Sequence, residues 1–187
     1  DAIVGYISSG NCQALAPVAE ELKQFTIFAT CGTPRIFEEA GRKYVFRTMG
    51  HATADNVAAA MYVKEKFPDM KGYTGINQNY AWGQDSWRDF DLTLQQIMPS
   101  TKASDKTQFP KIFAGQYGSE ISAMSLDKAD LVHTSFWGGD LEAFIFQGNA
   151  RGLFKKKIGV FTVGGTAAYR LGKKLPNGLV LGARGPY

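Results

Sequence analysis

The chain is poor in the side chains that metal and thiol chemistry use: its 187 residues include only two cysteines and two histidines. Cys12 and Cys31 lack CxxC spacing and have no histidine at ligand distance along the chain, which argues against a zinc site. No stretch approaches the ~20 apolar residues of a membrane-spanning helix. P-loop, GxGxxG, GxSxG and HExxH patterns are all missing, so no cofactor is implied. A large excess of one charge is missing too. The net charge of +4 is mild, and its densest block, Lys155-Lys156-Lys157, reads as a solvated turn rather than a nucleic-acid footprint. There is no signal peptide, no internal repeat and no low-complexity tract. The chain opens directly on an apolar strand, so its start is expected to be internal or processed.

What is present is an ordinary globular composition, 44% hydrophobic and 20% charged, which rules against disorder. The length suits one domain with a sizeable core or two small lobes. Strand-like and helix-like patterns alternate nearly throughout. Ala2–Ile7 is a continuous apolar run, as expected of a strand buried on both faces. Asn11 can cap a helix carrying Leu15, Val18, Ala19 and Leu22. Strands are expected at Phe25–Ala29, Tyr44–Thr48, Tyr73–Asn77, Asp130–Ser135, Ile158–Val163 and Leu179–Leu181, with a poor one at Lys111–Ala114. Helices are expected at Thr53–Phe67, Gln84–Ile97, Ser119–Leu126, Leu141–Ala150 and Ala167–Leu171. Strands separated by helices imply parallel pairing with right-handed crossovers, hence a doubly wound α/β architecture.

Two of the apolar runs empty into small, hydroxyl-rich loops, Ser8-Ser9-Gly10 and Thr30-Cys31-Gly32-Thr33. Ligands of open α/β sheets bind beyond the carboxyl ends of parallel strands, so both loops point to one site. Taken alone, Ser8 and Ser9 are equally an ordinary helix entry. If the two strands are sheet neighbours, a Cys12–Cys31 disulfide is conceivable; two free buried thiols are the alternative. Cys12 or Cys31 with His51 or His133 can be imagined as a nucleophile and base, but no sequence typical of a catalytic cysteine surrounds them. His133 lies inside an expected strand and reads better as a structural histidine.

The order and residue types of five segments resemble the type I periplasmic solute-binding proteins of branched-chain amino acid and amide ABC transporters. They are the Ser-Ser turn within Ile3–Leu22, Arg47-Thr48-Met49-Gly50, Asn79-Tyr80-Ala81-Trp82-Gly83-Gln84-Asp85, Phe136-Trp137-Gly138-Gly139-Asp140, and Asn177-Gly178-Leu179-Val180. The resemblance covers nearly the whole chain. It implies two α/β lobes of doubly wound parallel sheets, with residues 1–50 a partial first lobe and 51–187 a second lobe ending at the start of a return crossover. Relative to that family both ends of the first lobe are missing, so the chain is expected to be a fragment, and self-association could cover the gap.

The same resemblance implies an extracytoplasmic component of an importer, not an enzyme, that carries a small carboxylate, amide or amino acid to a membrane permease. Ser8, Ser9, Thr30, Cys31 and Gly32 would hold the ligand's carboxylate, helped by the positive end of the first helix. Tyr80, Trp82 and Trp137 would wall the cleft from the second lobe, although core packing is the plainer reading of all three. Gly32 departs from the hydroxyl residue common at its position. A second departure bears on the ligand: amino-acid binders place an acidic residue after the strand corresponding to Ile158–Val163, where this chain has Thr162-Val163-Gly164-Gly165. An uncharged amide or a carboxylate with an apolar body is therefore favoured over an α-amino acid. Asp140 could compensate, but its position suits a helix cap. The rival readings are a ligand-sensing domain of the same fold and a cofactor-free hydrolase.

Overall fold

A computed structural model describes residues 1–184 of the 187; the last three residues of the stretch assigned above to a second lobe lie outside it. The chain forms two separate parallel sheets. The first has the order β1-β2-β3, from Ile3–Gly5, Thr26–Phe28 and Val45–Arg47; the second has the order β5-β4-β6-β7-β8. Its strands are Gly72–Gly75 (β4), Lys102–Ala103 (β5), Leu131–Thr134 (β6), Ile158–Phe161 (β7) and Val180–Leu181 (β8). No named strand before residue 50 pairs with one after it.

The second sheet is covered on both faces because its strands alternate two sets of large apolar side chains. Tyr73, Leu131 and Val160 pack with helices α3 (Ala52–Lys66) and α4 (Ala81–Ile97) through Ala60, Val63, Phe90 and Leu94. Val132 and Phe161 turn the other way, toward α5 (Gly118–Leu126), α6 (Gly138–Ala150) and α7 (Gly165–Leu171), where Ile121, Leu141, Phe144 and Ala167 meet them. No helix among the described residues is long and apolar enough to cross a membrane.

The first sheet is packed on one side. Helix α1 (Ser9–Glu21) lays Cys12, Ala16 and Ala19 against Phe28 and Val45, with Ile36 of the short helix α2 (Arg35–Glu38) closing the cluster. The expectation that β1 is buried on both faces is wrong: Val4 is 70% exposed and Ile3 40%. β1 is an edge strand, and an unbroken apolar run cannot by itself tell an edge from a centre. Cys12 and Cys31 form a disulfide with their Cα atoms 6.3 Å apart, so the alternative of two free thiols is also overturned. The adjacency of β1 and β2 brings the start of α1 and the loop after β2 within bonding reach.

Three other expectations need correction. Asn11 does not cap α1, which begins two residues earlier with Ser8 in the extended cap conformation. Residues 111–114 are not a strand; the edge of the second sheet is β5, and a single bridge, Ile76 to Gln108, continues it. Asp140 is not a helix cap, since Trp137 takes that position and Asp140 sits in the first turn of α6.

The disulfide closes a loop of 19 residues in the sheet with the thinner core. Reducing it is expected to lower stability by about 3 kcal/mol, most of it through a freer unfolded chain. Urea denaturation with and without dithiothreitol, repeated on Cys12→Ala/Cys31→Ala, measures this; unchanged midpoints would count against it.

Candidate ligand-binding cleft

The loops that follow β1, β2, β6, β7 and β8 converge, because parallel strands deliver all their carboxyl ends to the same side of a sheet. They enclose a cavity of about 190 Å³ between the two sheets. Ile7, Ser9, Thr30 and Gly32 line it from the first sheet, and Met49 from the crossover. Tyr80, Trp82, Trp137, Val163, Gly165 and Thr166 line it from the second, with Gly182, Ala183 and Arg184 after β8. Most of that wall is hydrocarbon or aromatic ring.

Each polar group at the wall has a definable state. Ser9 is 2% exposed and its Oγ accepts a hydrogen bond from Thr33 N–H at 3.1 Å, which leaves the hydroxyl proton available to an acceptor. Thr30 donates its hydroxyl proton to the Tyr6 carbonyl at 3.0 Å. Tyr6 itself holds a φ of 137°, a strained value for a residue with a side chain, at the point where β1 gives way to the loop. Trp137 Nε1–H donates to Tyr80 Oη at 2.9 Å, and Trp82 Nε1–H to the Ser135 carbonyl at 2.8 Å. Burial pushes the Tyr80 phenol up to about 12, so it stays protonated.

Gly32 has a steric reason to be glycine. A Cβ there would lie 2.1 Å from the six-membered ring of Trp82, so a hydroxyl-bearing side chain has no room beside that ring. Next to this contact, Asp85 on α4 is buried and accepts from Thr33 Oγ1 at 2.7 Å and Arg35 Nε at 2.9 Å. Arg47 of β3 donates to the Thr33 carbonyl at 2.6 Å. The loop after β2 is thus fixed to both sheets.

Of the eight residues singled out from sequence, Ser9, Thr30, Gly32, Tyr80, Trp82 and Trp137 come together in the cavity wall, and Ser8 and Cys31 do not. Ser8 is the cap residue of α1, its carbonyl accepting the Cys12 N–H, and Cys31 is fully buried in the disulfide. Thr162 to Gly165 does border the cavity, through Val163 and Gly165, and the lining contains no carboxylate. Asp140 is 3% exposed and bound by Gln78 Nε2 at 2.6 Å and Phe113 N–H at 2.8 Å. Arg184 was missed. The signal that could have found it is the Gly182-Ala183-Arg184 turn, which follows the last strand at the same topological position as the other loops.

The imagined nucleophile and base are not assembled. Cys12 and Cys31 are oxidised together, and His133 lies in the core stacked on Phe90 at 4.2 Å between ring centroids. His133 Nε2 faces Asn56 Oδ1 at 2.7 Å and Nδ1 faces Asn77 Nδ2 at 3.3 Å, a pair that suits a neutral ring protonated at Nε2. Among the described residues no cluster of histidine, cysteine, aspartate and glutamate could hold a metal.

Two parallel α/β sheets with an aromatic cleft at the carboxyl ends of their strands define the fold of type I periplasmic binding proteins. The chain belongs to the periplasmic binding protein family, whose model matches residues 1–184. Among solved structures, it is similar to an ABC-transporter solute-binding protein of R. palustris in complex with benzoate, at 20% identity and a TM-score of 0.76. That match covers 86% of this chain and 43% of the other. A solute-binding protein of Rhodopseudomonas palustris BisB5 in complex with 3,4-dihydroxybenzoic acid gives 18% identity and a TM-score of 0.79, covering 95% and 47%. A leucine-binding protein of Thermotoga maritima gives 18% and 0.71, covering 86% and 43%. This chain therefore spans less than half the length of these structures, and at such identities the likeness shows the fold. No curated protein sequence matches it significantly.

Burial lowers the His133 pKa from its ordinary value to about 3. The unfolded imidazole, near 6.5, then takes up its proton first as pH falls, so stability declines from about pH 6.5 toward pH 3. At pH 5 this one group costs about 2 kcal/mol. NMR of the His133 ring is the direct measurement, and its resonances are expected to stay unshifted down to pH 4.5; a midpoint near 6.5 would overturn the assignment.

Proposed function

We propose that the protein is the extracytoplasmic solute-binding component of an ABC importer and that its cleft holds a small carboxylate with a flat, apolar body. In this reading residues 1–50 belong to a first lobe and 51–187 to a second, the ligand lies between them, and a membrane permease is the partner. The single observation that carries it is the composition of the cavity wall: aromatic faces of Trp82 and Trp137, hydroxyls of Ser9 and Thr30, and no carboxylate. An ammonium buried there would find no anionic partner, at a cost of several kcal/mol. The solved relatives bound to benzoate and 3,4-dihydroxybenzoic acid support an aromatic acid, whereas the leucine-binding relative keeps an amino acid in contention.

From the side of the first sheet the cleft offers an acid the Ser9 hydroxyl and the N-terminus of α1, where the first-turn N–H groups carry partial positive charge. A sensing domain of the same fold would use the same cleft, and gene neighbourhood encoding permease and ATPase subunits separates transport from sensing. The hydrolase reading is disfavoured by the oxidised state of Cys31 and the burial of His133.

Calorimetric titration tests the ligand class. Phenylpyruvate is expected to bind at least ~10-fold more tightly than phenylalanine, about 1.4 kcal/mol, and the keto acid of leucine more tightly than leucine. Tighter binding of both amino acids would reject the assignment. Trp137→Ala should weaken the preferred acid by about 2 to 4 kcal/mol while the thermal transition persists, because a large buried anchor is lost. Unchanged affinity would make Trp137 a purely structural residue.

A further inference from the structure

Arg184 is the one formally charged side chain in the described cavity wall, and nothing in the segments that mark the family points to it. Its guanidinium is largely buried, lies over the Trp82 ring at 5.1 Å from the centroid, and donates through Nε and Nη2 to the Asp55 carboxylate, with Nε at 2.9 Å from Oδ2. Asp55 stands in the first turn of α3, just after the chain leaves β3, so the ion pair ties the segment after β8 to the segment that leads from the first sheet into the second. The same indole also meets the backbone at Gly32, where no Cβ would fit. The Trp82 ring thus touches both the guanidinium and the loop after β2, and Arg184, Ser9 and Thr30 line one cavity.

We infer that Arg184 is the specificity-determining residue that pairs with the ligand's carboxylate, with Asp55 as its resident counter-ion. The inference rests on the carboxylate reading above and names the group that enforces it. Two features single out a ligand role over simple bracing. The guanidinium has five N–H donors in a planar fork, and a carboxylate bound through one edge leaves donors for a second anion. Arg184 also borders the cavity itself, whereas Asp55 does not, so the cation and not its counter-ion meets whatever enters. A carboxylate entering the cavity would meet those remaining donors in a ring-lined space, where charge-assisted hydrogen bonds are stronger than at a surface.

Benzoate and its neutral isostere benzamide are the probes, titrated into the whole chain. The wild-type protein is expected to prefer benzoate, and Arg184→Gln to weaken benzoate by about 10-fold or more while benzamide changes by less than about threefold. Asp55→Asn, which removes the competing anion and keeps the cation, is expected to tighten benzoate and leave benzamide unchanged. A purely structural ion pair would give a different result: both variants would weaken both ligands alike, and that outcome overturns the inference. If wild type binds benzoate well but neither variant alters the benzoate-to-benzamide ratio, the carboxylate reading survives and the role of Arg184 fails. If wild type binds benzamide as well as benzoate, both readings fail together.

Discussion

The cleft depends on one buried carboxylate. Asp85 sits one turn after Trp82 on α4, so the same helix face that presents the indole also presents the acceptor for Thr33 and Arg35. Arg88, a further turn along, reaches the same oxygen as Arg35 at 3.3 Å. A carboxylate with almost no solvent access is tolerated because cations and a hydroxyl replace its hydration, and removing those partners would leave a buried charge uncompensated. With that anchor in place the loop after β2 is pressed against α4 closely enough for Gly32 to touch the Trp82 ring. The cavity is what remains beside that contact.

Sheet topology does the rest of the positioning. Each βα unit ends its strand on the same side, so residues as far apart as Ser9 and Arg184 reach one wall without any long loop between them in space. Part of the polar interior of the second sheet forms one connected network. Asn77 bonds to both the N–H and hydroxyl of Ser135 and faces His133, which in turn faces Asn56 of α3. That chain of side chains fixes the strand ends from which Trp137 and Tyr80 project.

Much of this was legible beforehand, for a physical reason: alternation of apolar runs with 3.6-residue periodicity reports burial, and burial is what the second sheet has in abundance. Helices α3, α4 and α6 fall where Val63, Leu94 and Phe144 demand them. The sequence reading failed where burial is decided by neighbours. Val4 is apolar and exposed because it points to the face of the first sheet opposite α1, and β5 is only two residues of Lys and Ala, placed by its pairing with β4. In the cleft, the hydroxyl loops and aromatic residues were readable because strand ends mark such positions. Ser8 and Cys31 were not separable from Ser9 and Gly32, since side-chain direction at a loop is set by tertiary contact. Asp140 looked like a cap until its real partners, Gln78 and the Phe113 N–H, were seen. The turn after the last strand marks the place of Arg184, but its pairing with Asp55, 129 residues away, has no local signal.

The indole hydrogen bonds have an optical consequence. Trp82 and Trp137 both commit their N–H groups to protein acceptors and offer only ring faces and edges to whatever enters, so a ligand alters their surroundings without competing for those bonds. The third tryptophan, Trp87, is half-buried against Tyr73, Phe90 and His133 and does not border the cavity. The chain thus contains two emitters at the cleft and one half-buried reference of the same chromophore away from it. Its intrinsic fluorescence can report occupancy of the cleft without a label, and the Trp87 component serves as an internal standard for the integrity of the second sheet.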